Sequence, residues 1–208
     1  MATEQTPPAP RAKGDQVSLV DSFRRLAAWL KERDAAALMQ TLAPGAKPVQ
    51  LSKLEGKLGF RVPPGLRALW LMHDGQRKAA DSLVGTMHLL PVAWVLNERP
   101  ATLKLLARVR AEEGHQRDAG LTREEARSDE WLPVAKREAE CVLVHSASGR
   151  VFGTIGEAPY LRLLAKSVPQ WLETYVNDVE HGNYELVLDS EGAYFSPSPR
   201  GGEGRGEG

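Results

Sequence analysis

The chain has 208 residues, with Lys+Arg and Asp+Glu balanced at 27 each, so no global field draws it to nucleic acid or to an anionic membrane surface. Its 42% hydrophobic and 26% charged content is that of a globular protein, and a body of roughly 170 residues buries about 70% of its unfolded surface. A single cysteine, Cys141, excludes an intrachain disulfide; no run approaches the ~20 apolar residues of a membrane span, and the first ten residues lack the character of a secretory signal. The expectation is a cytoplasmic protein without membrane insertion.

Residues 1–15 are rich in Pro, Ala, Thr and Gln and predict a disordered leader. From 16 to 190 the pattern is that of one folded domain. Leu19, Val20, Phe23, Leu26, Ala27 and Leu30 recur at helical spacing, and a shorter helix is expected from Asp34 to Leu42, with Asp34 as its cap and Pro44-Gly45 beyond its end. Leu51, Leu54 and Leu58 mark the next helix, off whose apolar stripe Glu55 falls, and Gly59 stands where a left-handed helix end is needed. Pro64 suits the first turn of a helix through Met72, because its missing N–H has no intrahelical acceptor there, and Asp74-Gly75 stops that helix.

Ser82 to Leu90 reads as a strand with a bulge or a close backbone approach at Gly85, and Pro91 opens a helical stretch that resumes after Pro100. Residues 111–130 are dense in both charge signs and predict an exposed insertion. Trp131 to Ala135, Glu140 to His145 and Arg150 to Gly156 have the lengths and spacing of an antiparallel meander. Ser167 has capping-box spacing to Gln170, ahead of a helical stripe of Trp171, Leu172, Tyr175, Val176 and Val179. Tyr184 to Leu188 reads as a terminal strand, and 191–208 as a low-complexity tail.

Several short motifs then resemble, in family order over about residues 17–188, a domain of the SUKH superfamily. They are Leu54-Glu55, Val62-Pro63, His73-Asp74-Gly75-Gln76, Val84-Gly85 with Leu89-Leu90, Trp131-Leu132-Pro133-Val134, Gly149-Arg150-Val151, and Leu164-Ala165-Lys166-Ser167 leading into Trp171-Leu172. The resemblance implies a single α+β domain with a mainly antiparallel central sheet packed by helices. It further implies either an immunity protein that binds and neutralises a polymorphic toxin, or a regulatory interaction module in cell-wall or envelope assembly. Neither role needs catalysis or a cofactor.

Read for chemistry, the residues are sparse. His73-Asp74 are adjacent on a tight turn and do not converge on one reaction centre, whereas Asp74-Gly75 has the composition of a chain reversal. Cys141 and His145 share a strand face, the one pairing that suggests a cysteine-dependent enzyme, but four strand steps span about 13 Å. The five histidines show no paired ligand spacing, and Gly149 to Gly156 lacks the Lys-Ser/Thr ending of a phosphate loop. No catalytic residue, metal ligand or cofactor is therefore expected. For protein contact the expected residues are His73, Asp74, Gln76, Trp94 and Trp131, with Gly75 as a structural turn, because tryptophan joins a large apolar area to an N–H donor.

Overall fold

Three of the helices expected from local signals form as their end residues dictate. The structure, a computed structural model, describes residues 12–77, 81–111, 120–138, 140–155, 160–190 and 192–199. Helix α1 (Ala12–Lys31) begins inside the stretch expected as a leader, of which residues 1–11 lie outside the described residues. Helix α2 (Pro48–Leu58) ends on Gly59 at φ 80°, and α3 (Pro64–Met72) carries Pro64 in its first turn. Between α1 and α2 a 3-10 turn (Ala36–Thr41) replaces the expected helix. Asp34 does not cap it; that residue takes φ 56° and the cap position falls to Ala35, with no side-chain hydrogen bond.

Ser82 to Leu90 forms far less strand than expected. Only β1 (His88–Leu89) joins a sheet, because Val84 and Met87 close a local turn around Gly85 at φ 59°. Helix α4 (Val92–Ala111) runs through Pro100 without a break. The charged segment beyond it is not simply exposed: residues 112–119 lie outside the described residues, but α5 (Arg123–Arg127) buries Glu125 and Ala126.

Strands β2 (Trp131–Arg137), β3 (Glu140–His145), β4 (Val151–Ile155) and β5 (Tyr160–Ala165) form the antiparallel meander, giving a five-stranded sheet in the order β1-β2-β3-β4-β5. β5 is the strand that local propensity conceals, since its leucines favour a helix equally and pairing with β4 decides the outcome. In β2 the register shifts between Pro133 and Ala135, which lets both Val134 and Ala135 face the main core. Helix α6 (Val168–Glu180) has the expected Ser167 cap, whose hydroxyl accepts from the Gln170 amide. A hairpin of β6 (Tyr184–Asp189) and β7 (Gly192–Pro197) follows; β7 lies within the expected tail and buries Phe195 completely, while 200–208 lie outside the described residues.

The sheet therefore separates two apolar clusters. On one face Leu132, Val134, Val142 and Val144 meet α1, α3 and α6 through Leu26, Leu66, Trp70 and Val176. On the other, Trp131, Cys141, Leu143 and Phe152 meet Leu106 and Val109 of α4. Among the described residues, no helix is long and apolar enough to cross a membrane.

Candidate functional site

The corner after α3 is wired into the fold. Gln76 is buried and each end of its amide is occupied: Nε2 donates to Thr41 Oγ1 (2.9 Å) and to the Asp81 carbonyl (3.1 Å), while Oε1 accepts from the Leu89 (3.0 Å) and Leu83 (3.3 Å) amides. One side chain thus joins the 3-10 turn, the 81–83 loop and β1. Gln76 is consequently unavailable as a contact residue, which corrects the expectation drawn from its position beside a turn. A buried primary amide can stay buried only with such partners.

Asp74 works over a longer distance than its sequence context suggests. Its Oδ1 accepts from the Val92 amide at 2.7 Å, capping α4 eighteen residues on. Gly75, at φ 72°, lies so close to the Leu90–Pro91 backbone that a Cβ would come within 2.4 Å of Pro91 N. His73 is half-buried, its Nδ1 donates to the Ala43 carbonyl (3.3 Å), and its ring meets Phe23 edge-on at 4.8 Å. Burial lowers its pKa against a smaller opposing effect of that carbonyl, so His73 is a neutral packing group at physiological pH.

The two tryptophans singled out by sequence part company. Trp131 has no exposed surface: its indole N–H donates to the Glu125 carbonyl (3.2 Å) and its ring packs on Phe152 and His145. It is a core residue, not an interface anchor, because α4 and α5 cover its face of β2. Trp94 is 47% exposed on the first turn of α4 and touches His88 edge-on. The Asp74 cap holds the helix end that carries it.

From Trp94, the residues Glu98, Ala101, Leu105 and Arg108 follow at alternating steps of four and three, which is one face of a helix. Further along α4 a groove of about 300 Å³ opens between that face and the sheet, floored by Pro133, Lys136 and Cys141 and rimmed by Lys104 and Arg108. Lys136 pairs with Glu98 across it, while Lys104 and Arg108 form no ion pair among the described residues. α4 thus carries Arg99, Lys104, Arg108 and Arg110 against Glu98 alone, a local excess of positive charge in a chain of zero net charge.

Cys141 and His145 are not brought together. His145 Nδ1 contacts Ser148 Oγ (3.1 Å), and burial keeps the ring neutral. Cys141 packs in the smaller cluster, where burial pushes its thiol up to about 11. At pH 8 its alkylation in the folded protein is therefore expected to be at least about a hundredfold slower than in the unfolded chain, since the thiolate is the nucleophile. Mass spectrometry of iodoacetamide-treated protein with and without urea measures this; equal rates would place the thiol outside the core. No group of three His, Cys, Asp or Glu residues able to hold a metal occurs among the described residues.

Sequence reasoning passed over Glu125, treating it as part of a solvated run. It is 2% exposed, accepting from the Thr122 amide (2.9 Å), Ser148 Oγ (2.7 Å) and Arg150 Nη1 (2.6 Å), so it ties α5 to the β3–β4 turn. The signal was present: Thr122-Arg123-Glu124-Glu125 is a capping box, and the structure forms both of its bonds. Glu55 was passed over likewise. It holds the α2–α3 turn by accepting from the Val62 amide (3.0 Å) and from Arg61 and Arg67.

No curated protein matches the chain. The family model described as SMI1 / KNR4 family (SUKH-1) matches residues 45–174, a span running from just before α2 into α6 and containing the Glu55 turn, the Gln76 corner, the Trp94 face and the whole five-stranded sheet. With more than half of its length matched in that way, the chain belongs to the SMI1 / KNR4 (SUKH-1) family.

Proposed function

We propose that this protein is a non-enzymatic protein-binding domain of the immunity type, which neutralises a toxin domain by direct contact. The observation that carries this reading is Trp94: a large aromatic side chain, about half exposed, held on a helix end that Asp74 caps and Gly75 packs against. A rigid aromatic with an unused contact face is the kind of anchor from which interfaces draw most of their affinity. Lys104 and Arg108 on the same helix, which form no ion pair among the described residues, would speed encounter with an acidic partner surface and discriminate against basic ones. Family membership supports the reading, and the weakly acidic Cys141 thiol, which has no base brought to it by His145, supports the absence of cysteine catalysis.

The test is co-expression with the toxin domain encoded beside the protein. Protection from killing and a purified complex are expected, and Trp94→Ala should weaken that complex by about 2 kcal/mol or more, roughly thirtyfold, with little change in the urea midpoint of the free protein. Calorimetric titration reads the affinity. Unchanged killing and no complex would remove the immunity reading, and capture of envelope-assembly proteins in its place would favour a regulatory module.

A further inference from the structure

The β6–β7 hairpin lies beyond the span matched by the family, and its two long edges are treated differently. β7 is tied on its outer side: the Ser82 amide donates to the Ala193 carbonyl (2.7 Å), the Phe195 amide to the Gly85 carbonyl (3.0 Å), and the Ala193 amide to Asp81 Oδ1 (3.1 Å). Ala193 and Phe195 thus point their backbone groups away from β6. In an antiparallel pair, residues directly opposite either exchange both bonds or both face outward. Leu188 and Leu186, opposite Ala193 and Phe195, therefore present their own N–H and C=O groups at the free side of β6. Among the described residues no strand occupies that side.

That edge borders a groove of about 480 Å³, whose lining includes Trp29, Arg33, Val179, Tyr184, Leu186 and Leu188. Leu188 is 64% exposed, the most open large apolar side chain among the described residues. Open edges are usually blunted by charged side chains, lysine above all, by proline or by a bulge, and β6 carries only the acids Glu185 and Asp189 of these. Tyr184-Glu185-Leu186-Val187-Leu188-Asp189 has no lysine or proline, and its pairing with β7 runs without a register shift.

We infer that the free edge of β6 receives an extended segment of a partner protein as an added antiparallel strand, its apolar side chains in line with Leu186 and Leu188 and its basic ones in line with Glu185 and Asp189. Strand addition satisfies the outward backbone groups, and alternate side chains enter the groove. Charge selects the occupant. Acids are the only ionisable side chains on β6 besides Tyr184, so a second copy paired antiparallel through the same edge sets Glu185 opposite, or diagonal to, a Glu185 or Asp189 of the copy in every register that centres on this strand. A basic strand meets no such penalty. The inference rests on the proposed protein-binding role only in taking a protein as its occupant, and it uses a surface that excludes Trp94.

The experiment is amide exchange by NMR on the full chain, alone and with two synthetic peptides, one alternating Val and Lys and one alternating Val and Glu. Alone, the Leu186 and Leu188 amides should exchange faster than that of Val187, which bonds within the hairpin. The Val-Lys peptide should protect both and the Val-Glu peptide neither. Glu185→Lys with Asp189→Lys should weaken the first peptide about tenfold and favour the second, the scale of two cross-strand charge pairs. Leu188→Pro removes one outward donor without touching the β7 ladder and should abolish protection at Leu186; the double lysine variant keeps the test valid if that proline variant does not fold. Protection of both amides in the free chain, protection that grows with protein concentration, or equal binding of the two peptides would overturn the inference. Trp94→Ala should leave peptide binding unchanged, so failure of the toxin complex with intact peptide binding would count against the immunity reading alone.

Discussion

Gly75→Ala is expected to lower the unfolding free energy by about 3 kcal/mol or more, combining the strain of a side chain at positive φ with overlap against a backbone that has no freedom to retreat. The added Cβ would lie 2.4 Å from Pro91 N, 2.7 Å from the Leu90 carbonyl carbon and 2.8 Å from the Leu89 oxygen. Relieving this means moving the segment that enters α4, and with it the Asp74 cap on Val92 and the mounting of Trp94. Gly56→Ala supplies the control. Gly56 lies inside α2 with nothing within 4 Å of its missing Cβ, so the same substitution should stabilise by about 0.5–1 kcal/mol through helix propensity. Urea titrations of the two variants should therefore shift in opposite directions; a shift of the same sign and size would mean that the corner is not rigid.

Glu125→Ala should cost about 3–5 kcal/mol, because it removes one half of a buried ion pair and leaves Arg150 and the Ser148 hydroxyl without their acceptor. Burial is the largest single influence on the Glu125 carboxyl and acts upward, but the Thr122 amide, the Ser148 hydroxyl and the Arg150 charge together outweigh it and hold the pKa below the ordinary carboxylate value. A carboxylate depressed on folding stabilises the protein above its unfolded pKa, and that contribution drains away as pH falls through the depressed folded value. Stability measured from pH 7 downward should accordingly fall through the acid range in the wild type, and Glu125→Gln should flatten part of that fall. An unaltered pH profile in the glutamine variant would show that Glu125 does not carry the linkage.

Both residues illustrate what a single sequence conveys. The Gly75 turn and the Thr122 to Glu125 box are short-range grammar: a positive φ after a helix, and a hydroxyl three residues before an acid. The same holds for Gly59, for Pro64 at a helix start, for Ser167, and for the apolar stripe of α6. The β2–β4 meander follows from such patterns in series, whereas the fold class came with the family resemblance. The functional residues were less legible. His73, Asp74 and Gln76 look alike as polar groups around a turn, yet Asp74 finds its acceptor role at Val92 and Gln76 is enclosed by three separate segments, so the polar corner is an internal fastening.

Trp94 and Trp131 are equivalent in sequence, each beside apolar residues and a charged stretch. Only the packing of α4 and α5 across β2 separates them, burying one and leaving the other half in water. The edge of β6 is concealed for the same reason, since its open side is defined by what fastens β7 from more than a hundred residues earlier in the chain. The sequence by itself determined most of the helices, several of their ends and the β2–β4 meander, because those depend on dihedral preferences and on contacts three or four residues apart, and the order of its motifs along the chain marked the family. The tertiary structure alone decided which polar groups are buried, which tryptophan is presented and which strand edge stays open, because burial and pairing depend on partners that no local pattern names.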